Sequence, residues 1–171
     1  MPTNSISQSL LPEFDVEMAN TRKTLERVPE GRGEFRPHTK SMPMGRLAGH
    51  LVDIPMWALA TLGGTEFDMK TDGAAYPPYV MQSRAEALAK FDEETTKARA
   101  LLAATTDDAM MATWTLKNAG QPILAMPRIA VLRSFVMNHM VHHRAQLGVY
   151  LRMNDVPVPA LYGPSADEGR M

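Results

Sequence analysis

A seam of seven residues near the end of the chain places the strongest constraint on its fold. They follow one another at steps of three and four: Ile129, Leu132, Val136, His139, His143, Leu147 and Tyr150. Because an α-helix turns by about 100° per residue, this spacing brings all seven to one face. The pattern predicts a long amphipathic helix over about 127–153, packed against other helices along that face.

Three further segments have helical character, and these helices are predicted over about 5–28, 43–62 and 83–104. Pro12 is tolerated only in a first turn, so the regular part of the first helix should begin near Leu11. Pro55 should kink the second helix. Ser83 and Glu86 form a capping box that begins the third.

The segments between the helices complete the predicted fold. ATWTL (112–116) and QPILAM (121–126) flank KNAG, which indicates a short β-hairpin between helices 3 and 4. Residues 63–82 and the tail, 154–171, are too rich in Pro and Gly for long regular elements. We therefore expect one all-α domain over 1–171, a four-helix bundle with a hairpin. Long connections permit an up-up-down-down order, although the pattern alone does not select it.

Charge and composition exclude some classes of protein. The 18 Lys and Arg residues balance 19 Asp and Glu residues, which argues against a nucleic-acid-binding protein. Residues 109–154 carry no acid but contain five basic residues: Lys117, Arg128, Arg133, Arg144 and Arg152. Helical projection scatters the arginines around the helix, so we expect ordinary solvated surface. The alternative is a modest attraction for an anionic small molecule.

The chain contains no cysteine, so it can form no disulfide and offers no thiolate to a metal. Its first residues lack the basic-then-apolar pattern of a signal peptide, and no uncharged apolar run approaches about 18 residues. From these features we expect a cytoplasmic protein that neither spans nor binds a membrane.

Two of the seven seam positions are histidines. His139 and His143 lie one helical turn apart and about 40° from each other around the axis, so their imidazoles can bind the same metal ion. His142 lies on the flank of this face, about 60° from His139. The pair His139–His143 is therefore preferred, with His139–His142 as the alternative.

His50 offers a third imidazole, because it shares the core-facing seam of helix 2 with Leu47, Ile54 and Trp57. Three neutral imidazoles suit Zn²⁺, Ni²⁺ or Fe²⁺ and leave coordination positions open for water or substrate. A histidine on an apolar face is often only a satisfied core residue. However, several buried imidazoles without a metal would need other partners. The sequence thus predicts a divalent metal site formed by His50, His139 and His143.

Five nearby side chains have candidate roles or placements. Asp53 either orients the imidazole three residues before it or is a plain surface carboxylate. Gln146 is a candidate for a hydrogen bond within the site. Arg144 projects about 140° away from His139, so we expect it on the surface or at an interface. Trp57 and Trp114 fit the core better than a pocket wall.

Four stretches of the chain resemble the DinB-like (DinB/YfiT) superfamily of metal-binding four-helix bundles. They are LERVPEGRGEFRP (25–37), LAGHL (47–51), NHMVHHRAQLGVYLR (138–152) and VPVPALYGPSADE (156–168). The resemblance implies an up-up-down-down bundle in which His50, His139 and His143 match the positions of the family's metal ligands. Members of the superfamily are often homodimers, so the resemblance also implies a homodimer here.

Members of this superfamily include thiol-dependent transferases and isomerases, so the resemblance implies a metal-dependent enzyme. Such an enzyme activates a low-molecular-weight thiol or water for transfer to a small electrophile, and here the thiol must come from outside the chain. A metal-dependent hydrolase is the sister hypothesis, although no carboxylate is obviously placed as a general base. A non-catalytic metal-binding stress or interaction protein, and a purely structural bundle, are the remaining alternatives.

Overall fold

Helices make up most of the computed structural model, which describes residues 3, 5–71, 74–75 and 77–169. The helices are α1 (Ser5–Leu25), α2 (Met44–Gly63), α3 (Arg84–Ala104), α4 (Asp107–Met111), α5 (Arg128–Val131) and α6 (His139–Arg152). The strands are β1 (Glu66–Asp68), β2 (Lys70–Thr71), β3 (Ala74–Ala75), β4 (Thr113–Asn118) and β5 (Gln121–Pro127). Within the described residues, no helix has the length and apolarity needed to cross a membrane.

The last long helix is continuous but not uniform. A π-helical segment, Leu132–Asn138, joins α5 to α6. Seam residues are buried both in the π-helical segment, at Leu132 and Val136, and in α6, at Leu147 and Tyr150. Because a π-helix hydrogen-bonds from residue i to i+5, it is wider than an α-helix and is frequent at functional sites. The seam predicted this buried face, and nothing in its spacing indicated the π-helical segment.

The long helices pack around a common core. Helix α2 packs against α3 and α6, and α1 packs against the same two helices. Their facing side chains are fully buried, among them Phe14, Leu25, Leu47, Leu51, Ile54, Phe91, Ala98, Leu147 and Leu151. This packing brings the middle of α2 beside the beginning of α6.

Helix α1 begins at Ser5 and keeps Pro12 in its interior, earlier than the start predicted near Leu11. The reason is a cap from a distant residue. The Asp107 carboxylate, at the start of α4, accepts hydrogen bonds from Ser5 Oγ (2.7 Å) and from the backbone N–H of Ile6 (2.9 Å). Local sequence patterns do not reveal a cap from a residue about a hundred positions away, so this cap was not predicted. The five-residue helix α4 was not predicted either.

A small sheet covers one end of α2. Strands β4 and β5 pair antiparallel and turn through Ala119 and Gly120, both with positive φ. Strand β1 pairs parallel with β4. The indole of Trp114 in β4 is buried and donates a hydrogen bond to the carbonyl oxygen of Ala60 (3.1 Å). Strand β1 lies within the connection at 63–82, where no strand was predicted.

Two arginines that we expected at the surface are buried. Arg128 is 9% exposed. It donates hydrogen bonds to the carbonyl oxygens of Thr61 (2.9 Å), Gly64 (2.7 Å) and Ala109 (3.1 Å). The first two lie at the C-terminal end of α2, where carbonyl groups lack helical partners and a cation is stabilising. The prediction of a solvated Arg128 was therefore wrong.

Arg144 is only 2% exposed, so its placement on the surface was also wrong. It donates to Glu17 Oε2 (2.5 Å), to the Glu17 carbonyl oxygen (2.9 Å) and to Thr21 Oγ1 (3.0 Å). Tyr162 from the C-terminal tail contacts Arg144 and donates to Glu17 Oε2 (2.7 Å). The projection failed because α6 is covered on a second side, by α1 and the tail.

Gly49 lies where the backbone of the connection after β3 touches α2. A Cβ at this position would lie 2.3 Å from the carbonyl oxygen of Tyr79, which real side chains do not tolerate. We expect Gly49→Ala to lower the free energy of unfolding by about 1–3 kcal/mol, because backbone must move. Gly63→Ala is the matched control in the same helix, since its Cβ meets only Leu101 Cδ2 at 3.7 Å. Equal urea midpoints for the two variants would contradict the prediction.

Candidate metal centre

Three histidines converge between α2 and α6. The Nε2 atom of His139 lies 3.2 Å from Nε2 of His50 and 2.7 Å from Nε2 of His143. The three rings are half-buried, and one ring nitrogen from each lies within 4.8 Å of the others. The structure thus brings together the three histidines that the sequence singled out, and their geometry can hold a metal ion.

The outer nitrogens of two rings have their own partners. His139 Nδ1 lies 3.3 Å from the carbonyl oxygen of Phe135, and His143 Nδ1 lies 2.8 Å from Oε1 of Gln146. These oxygens accept hydrogen bonds, so they favour the tautomer in which each Nδ1 carries the proton. The predicted contact of Gln146 within the site is confirmed.

This tautomer leaves the Nε2 lone pairs of His139 and His143 facing each other at 2.7 Å. Two lone pairs at that distance repel, because neither nitrogen has a proton to donate. A cation between them would turn the repulsion into coordination, and the imidazole nitrogen is a preferred ligand of Zn²⁺ and similar metals. The donor set therefore fits a divalent metal of this class.

The histidines are also in the protonation state that metal binding requires. Burial lowers the pKa of His50 to about 4, helped by the nearby charges of His143, His139 and Arg46. Burial likewise lowers the pKa of His139 and of His143 below their usual value. All three imidazoles are therefore neutral at neutral pH, with a lone pair available.

His142 lies outside this group. Its side chain is exposed, and its ring stands 4.8 Å from the ring of His143, between centroids. The described residues that can share one metal ion are His50, His139 and His143, so the alternative pair of His139 with His142 is not the arrangement found.

Asp53 does not orient His50, nor is it a surface carboxylate, so both predictions for it were wrong. It is 4% exposed. Its Oδ2 accepts a hydrogen bond from the backbone N–H of Tyr79 (2.9 Å), and Lys90 Nζ lies 3.7 Å from its Oδ1. Because α3 and the connection before it cover this flank of α2, Asp53 fastens that connection to the helix.

Two cavities adjoin His50. The first has a volume of about 190 Å³ and mostly apolar walls, which include Trp57, Trp114 and Phe135 beside His50 and His139. Trp114 belongs to the core, as predicted, and it lines this cavity as well; Trp57 is only partly buried and packs against the core. The second cavity has a volume of about 300 Å³ and more polar walls. His50 thus borders both an apolar cavity and a more polar one.

Comparison with known families decides which family the chain belongs to. The family model of the DinB superfamily matches residues 13–147, a range that includes all three histidines. The chain belongs to the DinB superfamily. The resemblance drawn from its sequence motifs is therefore confirmed. A search of curated proteins found no match.

Solved structures of DinB-like proteins share this fold. One, from Bacillus cereus ATCC 10987, has 23% sequence identity and a TM-score of 0.70, and the match covers 91% of this chain and 97% of that one. Another, from Bacillus subtilis, has 17% identity and a TM-score of 0.66, covering 91% of this chain and 99% of that one. At these identities the likeness shows the fold of this chain and not its activity.

The depressed pKa values predict how the stability of the metal-free protein depends on pH. Between the unfolded value of 6.5 and about 4, the unfolded chain binds a proton at His50 and the folded protein does not. Lowering the pH through this range therefore favours unfolding. With a chelator present, we expect the melting temperature to decrease as the pH is lowered from about 7.5 to about 5. This pH interval lies above the range in which most carboxylates titrate. His50→Gln should flatten this dependence; an unchanged slope would contradict the prediction.

Proposed function

We propose that His50, His139 and His143 bind one divalent metal ion, which is zinc, nickel or iron. We further propose that this DinB superfamily member is an enzyme that activates a low-molecular-weight thiol or water for transfer to a small electrophile. The observation that carries the proposal is the convergence of three neutral imidazole nitrogens, from two helices, beside two cavities.

The chain's own residues support this chemistry in specific ways. When bound, a divalent metal acts as a Lewis acid that lowers the pKa of a coordinated thiol or water. Gln146 and the Phe135 carbonyl orient the rings of His143 and His139 through their Nδ1 atoms. Three protein ligands leave positions for reactants, as in catalytic metal sites. Because the chain has no cysteine, the thiol is an external molecule.

The surroundings of the site favour the thiol hypothesis over its two rivals. A non-catalytic metal site needs no space beside its ligands, whereas here two cavities adjoin them. A hydrolase needs a general base near the metal. Among the described residues, Asp53 is the one carboxylate that lines either cavity. Its Oδ2 accepts a hydrogen bond from the backbone N–H of Tyr79, and its Oδ1 has no hydrogen-bond partner and lies 3.7 Å from Lys90 Nζ, so the carboxylate is held against the connection before α3.

Metal content per chain tests the proposal. The tag-free protein, purified without added metal, should carry about one divalent metal ion per chain by elemental mass spectrometry. His143→Ala should lose it, since a ligand is removed. The matched control is His142→Ala, which removes an exposed imidazole from the neighbouring position and should retain the metal.

Absence of metal from the wild type, with no uptake of added zinc, nickel or iron, would contradict the proposal. A metal-loaded protein should then accelerate the reaction of glutathione with chlorodinitrobenzene. If metal is present but neither thiol transfer nor hydrolysis is accelerated, the non-catalytic alternative is favoured.

The expected bundle order and the homodimer are also part of this proposal. The pairing of α1 and α2 with the same two helices, α3 and α6, supports an up-up-down-down arrangement. The apolar side chains of Val16 on α1 and Val149 on α6 are exposed and are the contacts that we propose for a second copy. Sedimentation velocity measures the oligomeric state directly.

A further inference from the structure

The two cavities beside the histidines are neighbours with contrasting chemistry. Both are lined by His50, Trp57 and Met69, so they meet around these three side chains. The smaller one continues over apolar residues, including Leu124 on β5. The larger one continues towards charged residues, including Arg46. A ligand that fits both must be apolar at one end and polar at the other.

Arg46 gives the polar end its charge preference. Its Nη1 atom is buried and has no hydrogen-bond partner among the residues that the structure describes. Because other atoms of the Arg46 side chain line the larger cavity, its positive charge favours an anion bound there. Lys70 lines the same cavity and adds a second positive charge.

The carboxylates near Arg46 form no ion pair with it among the described residues. Asp53, which lines the same cavity, accepts at Oδ2 from the backbone N–H of Tyr79, and its Oδ1 lies 3.7 Å from Lys90 Nζ without a hydrogen bond. Glu30, which lines another cavity with Arg46, accepts from the backbone N–H of Arg84 at 3.0 Å. These pairings leave the guanidinium of Arg46 available to an acid from outside the chain, and a carboxylate matches its planar geometry.

The volume of the apolar cavity limits the size of the other end. A dry cavity of about 150 Å³ with apolar walls binds benzene. The cavity here is about 190 Å³, which accommodates one six-membered ring with a short substituent. Its walls include two tryptophans and a phenylalanine, which suit an aromatic or branched aliphatic group.

We propose that this cleft binds a small organic acid, with its carboxylate at Arg46 and its apolar end between Trp57, Trp114 and Leu124. This inference rests on the proposed function, because it identifies the small electrophile of the same site as an organic acid. The inference requires a contact between the ligand and Arg46. Ligand affinity can therefore be measured on metal-free protein, without any measurement of catalysis.

Phenylacetate and its neutral analogue phenylacetamide are the probes, titrated calorimetrically into protein treated with a chelator. Removing the metal prevents the carboxylate from binding by coordination instead. We expect the wild type to bind phenylacetate about tenfold more tightly than the amide. Arg46→Gln should abolish this preference, and Arg46→Lys should keep part of it. Arg36→Gln, which removes an equal charge from an exposed residue, should leave the preference intact.

The apolar end has its own test and readout. Leu124→Phe should weaken both probes, because it fills the apolar cavity from β5. The chain's only two tryptophans both line this cavity, so ligand binding should also change the intrinsic fluorescence. Equal affinity for the two probes, or a preference that survives Arg46→Gln, would overturn the inference. Lack of metal uptake would overturn the proposed function alone and leave these binding results standing.

Discussion

Replacing Arg144 with alanine is expected to lower the free energy of unfolding by about 3–5 kcal/mol. The guanidinium is buried at 2% exposure and donates to three oxygens of α1, two of them on Glu17. Its removal leaves the Glu17 carboxylate, itself buried, without its countercharge. For a domain of this size, the loss corresponds to a fall in melting temperature of roughly 10 °C.

The reference variants separate burial from charge. Arg133→Ala removes another arginine of the same long helix, but its pair with Glu13 is exposed, so we expect a cost under about 1 kcal/mol. The double variant Arg144→Met with Glu17→Leu should be markedly more stable than Arg144→Ala, because it leaves no unpaired charge. Urea denaturation measures all three. A similar, small cost for Arg144→Ala and Arg133→Ala would show that the buried pair is dispensable.

The same arginine shows where reading the sequence fails. Projection of α6 on a single buried face assigns Arg144 to solvent, because it lies far from the seam that carries His139. The helix in fact has two covered faces, one towards α2 and one towards α1 and Tyr162. The second covering includes residues far away in the sequence. Local periodicity cannot reveal a partner of that kind.

The histidine cluster could be predicted because its geometry is mostly local. The spacing of His139 and His143 places them one turn apart whatever else the chain does. His50 needed only the assumption that apolar faces of two helices meet. By contrast, the cap that Asp107 gives to α1 and the pairing of β1 with β4 depend on tertiary contacts. Neither has a signal in its own segment.

The second large effect that we expect is metal-dependent stability. Under the proposed function, zinc would bind the folded arrangement of His50, His139 and His143 and not the separated histidines of the unfolded chain, so it would stabilise the fold by mass action. Free zinc at a thousand times the dissociation constant adds about 4 kcal/mol, or roughly 10 °C in melting temperature. Differential scanning calorimetry of chelated and zinc-loaded protein measures this shift.

His139→Ala should abolish the zinc-induced shift in melting temperature, because Nε2 of His139 lies 3.2 Å from Nε2 of His50 and 2.7 Å from Nε2 of His143. Without metal, the same substitution should cost less stability than an ordinary core truncation, since it also removes the lone-pair contact with His143. His142→Ala should keep the full shift. These responses separate a metal site from a packing cluster: a cluster that only fills space would lose stability on truncation whether or not zinc is present, and zinc would leave its melting temperature unchanged.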